Sequence, residues 1–195
     1  MIKTENRFFF ILAFLMGMVV ALSNYLVQFP VSYAGLQDIF TYGAFSYPIA
    51  FLITDLANRR YGKLIARKIV YIGFIVGIVL TLYFSTDFSN LISKRIALGS
   101  GIAFLVSHLL DVYVFDKLRR KVWFIAPLFS SLIGSCIDTF LFFSIAFYGT
   151  ETNWITLSLG DLFVKIVVAL LMLVPFRILL SYVREISSVE KKINV

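Results

Sequence analysis

Residues 123–148 read WFIAPLFSSLIGSCIDTFLFFSIAFY, with one acidic side chain, Asp138, set among apolar neighbours on both sides. A helix crossing a bilayer needs about 20 mostly apolar residues. This run is long enough. A carboxylate inside it must be neutralised, be paired, or face water, because an aspartate at the centre of such a helix costs on the order of 3 kcal/mol on insertion scales.

The rest of the chain agrees with that reading. Of 195 residues, 60% are hydrophobic, and the mean hydropathy is +0.91. Soluble domains are about 45–50% apolar, so this excess has no single globular core to enter and its surface would stay apolar. Further spans are predicted at Phe8–Phe29, Phe40–Ala57, Ile69–Ser85, Ile96–Phe115 and Ile155–Val183, making six with Trp123–Tyr148. The links are short and polar, so residues 1–195 form one transmembrane domain of the all-α class. The run at Phe8–Phe29 is too long for a signal-peptide core and is expected to be a retained span.

Lys and Arg number 18 against 11 acids, a net charge of +7. In a soluble chain this would suggest nucleic acid. Here the bases sit between apolar runs: Lys3 and Arg7 before span one, Arg59, Arg60, Lys63, Arg67 and Lys68 after span two, Lys117, Arg119, Arg120 and Lys121 after span four, and Arg184, Lys191 and Lys192 after span six. With both termini cytoplasmic, all of these lie inside and only Lys94 and Arg95 lie outside, which is the orientation the positive-inside rule selects. Topology thus accounts for the charge, and no nucleic-acid partner is expected. The single cysteine, Cys136, excludes an internal disulfide and any multi-cysteine metal site.

Small residues recur four apart, at Ala13, Gly17 and Ala21 and at Gly73 and Gly77. Such spacing serves close helix packing within a bundle; the alternative is a docking face, including a homodimer through Gly73 and Gly77. Pro48, Pro127 and Pro175 fall within spans, where neighbours satisfy the freed carbonyls, and they are candidates for bends beside a cavity.

Depth decides which polar residues meet, at about 1.5 Å of rise per residue. Asp138 comes out ~22 Å above the inner edge of a ~30 Å slab, and Asp161 and Lys165 ~9 and ~15 Å below its outer edge. Asn24 and Gln28, like Asp161 and Lys165, are spaced i,i+4 and share a helix face. Asn24, Gln28, Asp138, Thr139, Asp161 and Lys165 therefore form one layer in the outer half. The structural alternative is an ion pair of Lys165 with Asp138 or Asp161. A second layer, toward the cytoplasm, comprises Asp55, His108, Asp111 and Arg177. These are candidates for gating or proton coupling, His108 because imidazole ordinarily titrates near pH 6.5. The bland reading pairs Asp55 with Arg59, and Asp111 with a neighbouring base. One histidine makes a poor metal site. The chain has no GxxxxGK[ST], GxSxG or HExxH stretch, so ATP hydrolysis and the common nucleophilic or zinc hydrolase chemistries are not expected.

Five stretches resemble one family: SNYLVQFPV (23–31), YGAFSYPIAFLITDLANRRYGKLIARKIV (42–70), LLDVYVFDKLR (109–119), WFIAPLFSSLIGSCIDTFLFFSIAF (123–147) and DLFVKIVVALLMLVP (161–175). They are similar, in order and over nearly the whole chain, to the bacterial inner-membrane queuosine-precursor transporters, also called vitamin uptake transporters. The resemblance implies uptake of 7-cyano-7-deazaguanine, and often 7-aminomethyl-7-deazaguanine, for tRNA modification. It implies a single polypeptide that needs no ATPase partner, no cofactor and no catalysis. His108 departs from the family pattern, which has glutamine before LLD; only histidine gains charge near neutral pH. A deazaguanine edge presents an N–H and an amino group side by side, and a carboxylate accepts both. Asp138 is the first choice for that role and Asp161 the second. Asn24 or Gln28 complements the carbonyl and amide edge, Lys165 pairs the remaining carboxylate or bonds the carbonyl oxygen, and Phe45 and Tyr47 offer aromatic faces. Two readings follow: a secondary or facilitated carrier working by alternating exposure, or the substrate-binding subunit of an energy-coupling-factor transporter. An intramembrane enzyme is a distant third.

Overall fold

The computed structural model describes residues 2–27, 29–33, 40–84, 91–151 and 153–183. Gln28, Arg184, Lys191 and Lys192 lie outside the described residues. The described helices are α1 (Ile2–Leu26), α2 (Gly43–Ser46), α3 (Pro48–Tyr61), α4 (Lys63–Phe84), α5 (Leu91–Leu118), α6 (Ile125–Phe147) and α7 (Trp154–Leu180). No strand occurs among the described residues; an isolated bridge pairs Pro30 with Thr41 and closes the approach to α2. Among the described residues four helices, over Arg7–Leu26, Lys94–Leu118, Ile125–Phe147 and Trp154–Leu180, are long and apolar enough to cross a membrane. Their outer faces carry exposed Phe10, Phe14, Leu98, Phe140 and Phe163. That surface suits lipid, where each helix satisfies its own backbone.

The side-chain contacts give each helix a direction. Met16 meets Gly73 and Val20 meets Gly77, so α1 and α4 run parallel. Asp55 meets Ser130 while Tyr47 meets Asp138, so α3 and α6 are antiparallel. Asp138 and Lys165 join antiparallel α6 and α7. Arg7, Arg59, Arg60, Lys63 and Lys117 accordingly gather at one end, the basic end. Arg95 marks the other, where it donates to the carbonyls of Ile145 (2.9 Å) and Tyr148 (2.7 Å).

The small-residue stripe works inside this bundle. A Cβ on Gly17, Gly73 or Gly77 would collide with Val76, Met16 or Val20, respectively. These glycines let α1 and α4 approach closely, and Gly73 and Gly77 are spent on that contact within one chain. At the basic end, Gly62 turns α3 into α4 with φ +79°, a left-handed conformation that favours glycine. Beside it Arg59 donates to the carbonyl of Arg119 (3.1 Å) and Arg119 to that of Arg59 (3.2 Å).

Three details differ from the sequence expectation. The span expected at Phe40–Ala57 is a helical path from Gly43 to Tyr61, interrupted at Tyr47. Tyr47 keeps helical angles (φ −60°, ψ −39°), but Pro48 has no N–H to donate to Ala44. Pro127 sits in the first turn of α6, where the N–H has no partner to lose, so of the three prolines only Pro175 lies in a helix interior. Helices α4 and α5 also begin earlier than expected, taking Lys63, Arg67, Lys68, Lys94 and Arg95 into helix rather than loop.

Candidate functional site

Lysine 165 is the centre of the outer layer. Its Nζ donates to Asp138 Oδ2 (2.9 Å), Asp161 Oδ2 (2.6 Å) and Thr139 Oγ1 (3.1 Å). An ammonium has three N–H bonds, and all three are used. The Thr139 hydroxyl passes its own proton to Asp161 Oδ2 at 2.8 Å. The remaining oxygen of Asp138, Oδ1, accepts from Tyr47 Oη (2.8 Å), and Ser107 Oγ lies 3.3 Å away. The Lys165 ammonium rests 4.9 Å from the centre of the Tyr47 ring. Lys165, Asp138 and Asp161 are only 4%, 3% and 5% exposed, so these bonds stand in a medium that strengthens them. Both carboxylates anticipated as partners of Lys165 bind it together.

A small cavity opens against this cluster. Asn24, Tyr47, Asp138, Asp161 and Lys165 line it, with Phe142 as an apolar wall. Asn24 accepts a hydrogen bond from Ser100 across the cavity mouth. Within the cluster, Thr139 and Lys165 both bond Asp161 through its Oδ2. Asp138, the first choice from sequence, has both oxygens occupied by protein donors. Phe45 is 48% exposed and does not line the cavity. Tyr47, chosen for its ring, contributes its hydroxyl as well.

The second layer separates into two parts. Arg177 is exposed, its guanidinium 5.0 Å from the Trp123 ring centre. Asp55, His108 and Asp111 are buried together where α3, α5 and α6 meet. Asp55 accepts from Ser130 (3.1 Å) and Ser131 (3.3 Å), not from the arginine one turn later. His108 lies on Phe51, ring centroids 4.3 Å apart and nearly parallel. Gly134 makes room for that Phe51 ring, since a Cβ there would stand 2.5 Å from it. Asp111 has no hydrogen-bond partner for either oxygen.

Among hydroxyls, the sequence layers included Thr139 but no serine. Ser107, Ser130 and Ser131 each reach a buried aspartate, and Ser23 bonds Ser46 at 2.8 Å where α2 crosses α1. The signal was present as serines at helical spacing within apolar runs.

Residues 41–180 match the family model described as "Putative vitamin uptake transporter". The chain is 35% identical to the queuosine precursor transporter of Escherichia coli, over 81% of this chain and 79% of that protein. It is 35% identical to the probable queuosine precursor transporter of Haemophilus influenzae, over 89% and 86% of the two chains. A probable queuosine precursor transporter of Bacillus subtilis is 31% identical over 68% of each. No solved structure matches.

Proposed function

This multi-pass membrane protein belongs to the vitamin uptake transporter family, and on that premise we propose that it carries queuosine precursors inward across the bacterial cytoplasmic membrane. The substrate is 7-cyano-7-deazaguanine, with 7-aminomethyl-7-deazaguanine as a second. The chain crosses six times, the interrupted path Gly43–Tyr61 making the second crossing, with both termini and the basic end in the cytoplasm. It acts as a secondary or facilitated carrier and catalyses no covalent step.

The observation that carries this reading is the unbalanced charge beside the cavity. Two carboxylates share one ammonium, and the bonds from Thr139 and Lys165 both fall on one oxygen of Asp161, Oδ2. A ligand presenting adjacent N–H and amino groups supplies what is missing. Asp161 takes the first bond of that edge. Asp138, held by Tyr47 and Lys165, keeps the ammonium in place, and Asn24 addresses the opposite edge. Thr139 fixes the carboxylate rotamer of Asp161.

The test is uptake of labelled 7-cyano-7-deazaguanine into proteoliposomes holding only this chain, wild type beside Asp161→Asn and Asp138→Asn. Uptake by the wild type and none by either variant is the expected result. Binding in detergent without uptake would move the protein to the capture-subunit class of energy-coupling-factor transporters. Absence of both binding and uptake would overturn the substrate assignment.

A further inference from the structure

The polar cluster of α3, α5 and α6 has an excess of acceptors. The Thr54 hydroxyl donates to the Ala50 carbonyl (3.0 Å) and lies 3.0 Å from His108 Nδ1. A hydroxyl has one proton; where the Ala50 carbonyl takes it, Nδ1 donates to Thr54 and Nε2 is left an acceptor. Nε2 has no partner among the described residues. Asn58 spends its Nδ2 on the Val112 carbonyl (2.8 Å), leaving Oδ1 without a donor. Both Asp111 oxygens and Ser135 Oγ are also unpartnered, and Asp111, His108 and Asn58 are wholly buried. Ser130 directs its one proton toward Asp55 or the Pro127 carbonyl, and its hydroxyl is also near enough to act on Asp111.

The groups facing Asp111 can be named by element. Asp55 on α3 is near enough for its charge to be felt. His108 stands one turn back on α5 itself. From α6 come only the hydroxyls of Ser130, Ser131 and Ser135. Lys165 on α7 acts on His108 but bonds to the outer aspartates. No side-chain cation bonds Asp55 or Asp111 among the described residues. Two ionised carboxylates here would stand buried without a counter-charge, an arrangement that proteins avoid by taking up a proton.

We propose that Asp111, with Asp55 beside it, binds the proton that drives uptake, making the protein a substrate–proton symporter. One proton on Asp111 removes a charge and turns an acceptor into a donor in a cluster that is short of donors. The site connects to the cavity through shared helices. Thr54 and Asp55 follow Tyr47 on the same helical path, Ser107 adjoins His108, and Ser135 lies one turn from Asp138. The proton enters with substrate and leaves when the α3–α5–α6 junction meets the cytoplasm. This inference rests on the carrier reading and adds its driving ion.

Proteoliposomes of the full chain, loaded with a pH-reporting dye, test it with labelled 7-cyano-7-deazaguanine in sodium-free buffer. Addition of substrate to the wild type is expected to acidify the lumen. An imposed inward gradient of about one pH unit is expected to give about tenfold accumulation, the ratio one proton per substrate supports. Asp111→Asn is expected to exchange labelled for unlabelled substrate, more slowly, with neither acidification nor accumulation. Should that variant not exchange, Asp111→Glu keeps a titratable group, and exchange without acidification in it overturns the proposal. Wild-type exchange without acidification overturns it too, as does accumulation driven only by a sodium gradient. Absence of wild-type exchange overturns the carrier reading itself.

Discussion

The two buried polar clusters solve the same problem in opposite ways. Around Lys165 nearly every polar atom has a partner: an ammonium, a phenol and a threonine hydroxyl surround two carboxylates. Around Asp111, a comparable burial holds two carboxylates with serine hydroxyls and no ammonium. The first cluster is an ion network whose members depend on one another. The second is underfilled and suited to a small guest that comes and goes. The difference teaches that intramembrane acids in one bundle need not share surroundings: Asp138 has a donor on each oxygen, while Asp111 has none on either among the described residues.

Substitutions should break this contrast unequally. The largest effect is expected from Lys165→Met, which strands Asp138 and Asp161. Breaking a buried pair this way costs about 3–5 kcal/mol, so thermal unfolding in detergent should shift strongly downward and uptake should vanish. Adding Asp138→Asn and Asp161→Asn to it should recover much of the stability but none of the uptake. Next, Asp161→Asn should weaken substrate binding by roughly 100-fold, as expected for losing a charged hydrogen bond of about 3 kcal/mol, while the melting temperature stays closer to wild type than that of Lys165→Met; calorimetric titration reads the first number. Tyr47→Phe removes one donor from Asp138 and should cost about 1.5–2 kcal/mol, seen as roughly tenfold weaker uptake at low substrate. The smallest stability effect belongs to Asp111→Asn, within about 1 kcal/mol of wild type, because no bond is lost. If Asp111→Asn unfolds as readily as Lys165→Met, the contrast between the clusters fails.

Much of this arrangement was legible in the sequence. Helical rise alone brought Asp138 to the depth of Asp161 and Lys165, and the i,i+4 spacing of the latter pair fixed their common face. What the sequence concealed was rotation about each helix axis. Depth arithmetic cannot say that Phe45 points outward while Tyr47, two residues on, points at Asp138. Nor could it tell that Asp55 would prefer two serines of α6 to the arginine one turn away, since that choice depends on how closely α3 and α6 pack. The interrupted second helix was signalled by Pro48. Its start at Gly43 was not, because it follows from the chain pairing Pro30 with Thr41 before helix begins. Gly43 can cross α1 so closely only because it lacks a side chain: a Cβ would lie 2.9 Å from the Val27 nitrogen.

That interruption has a mechanical meaning. A continuous helix resists bending because each bend stretches hydrogen bonds on its outer side. At Pro48 one of those bonds was never formed. The softest joint of the second crossing therefore sits directly beside Tyr47, whose hydroxyl holds Asp138 at 2.8 Å. Two backbone bonds still cross the joint, from Tyr47 N–H to the Gly43 carbonyl (3.1 Å) and from Ala50 N–H to the Tyr47 carbonyl (2.9 Å). The weakest point of the second crossing and the phenol that holds Asp138 are thus adjacent in the chain.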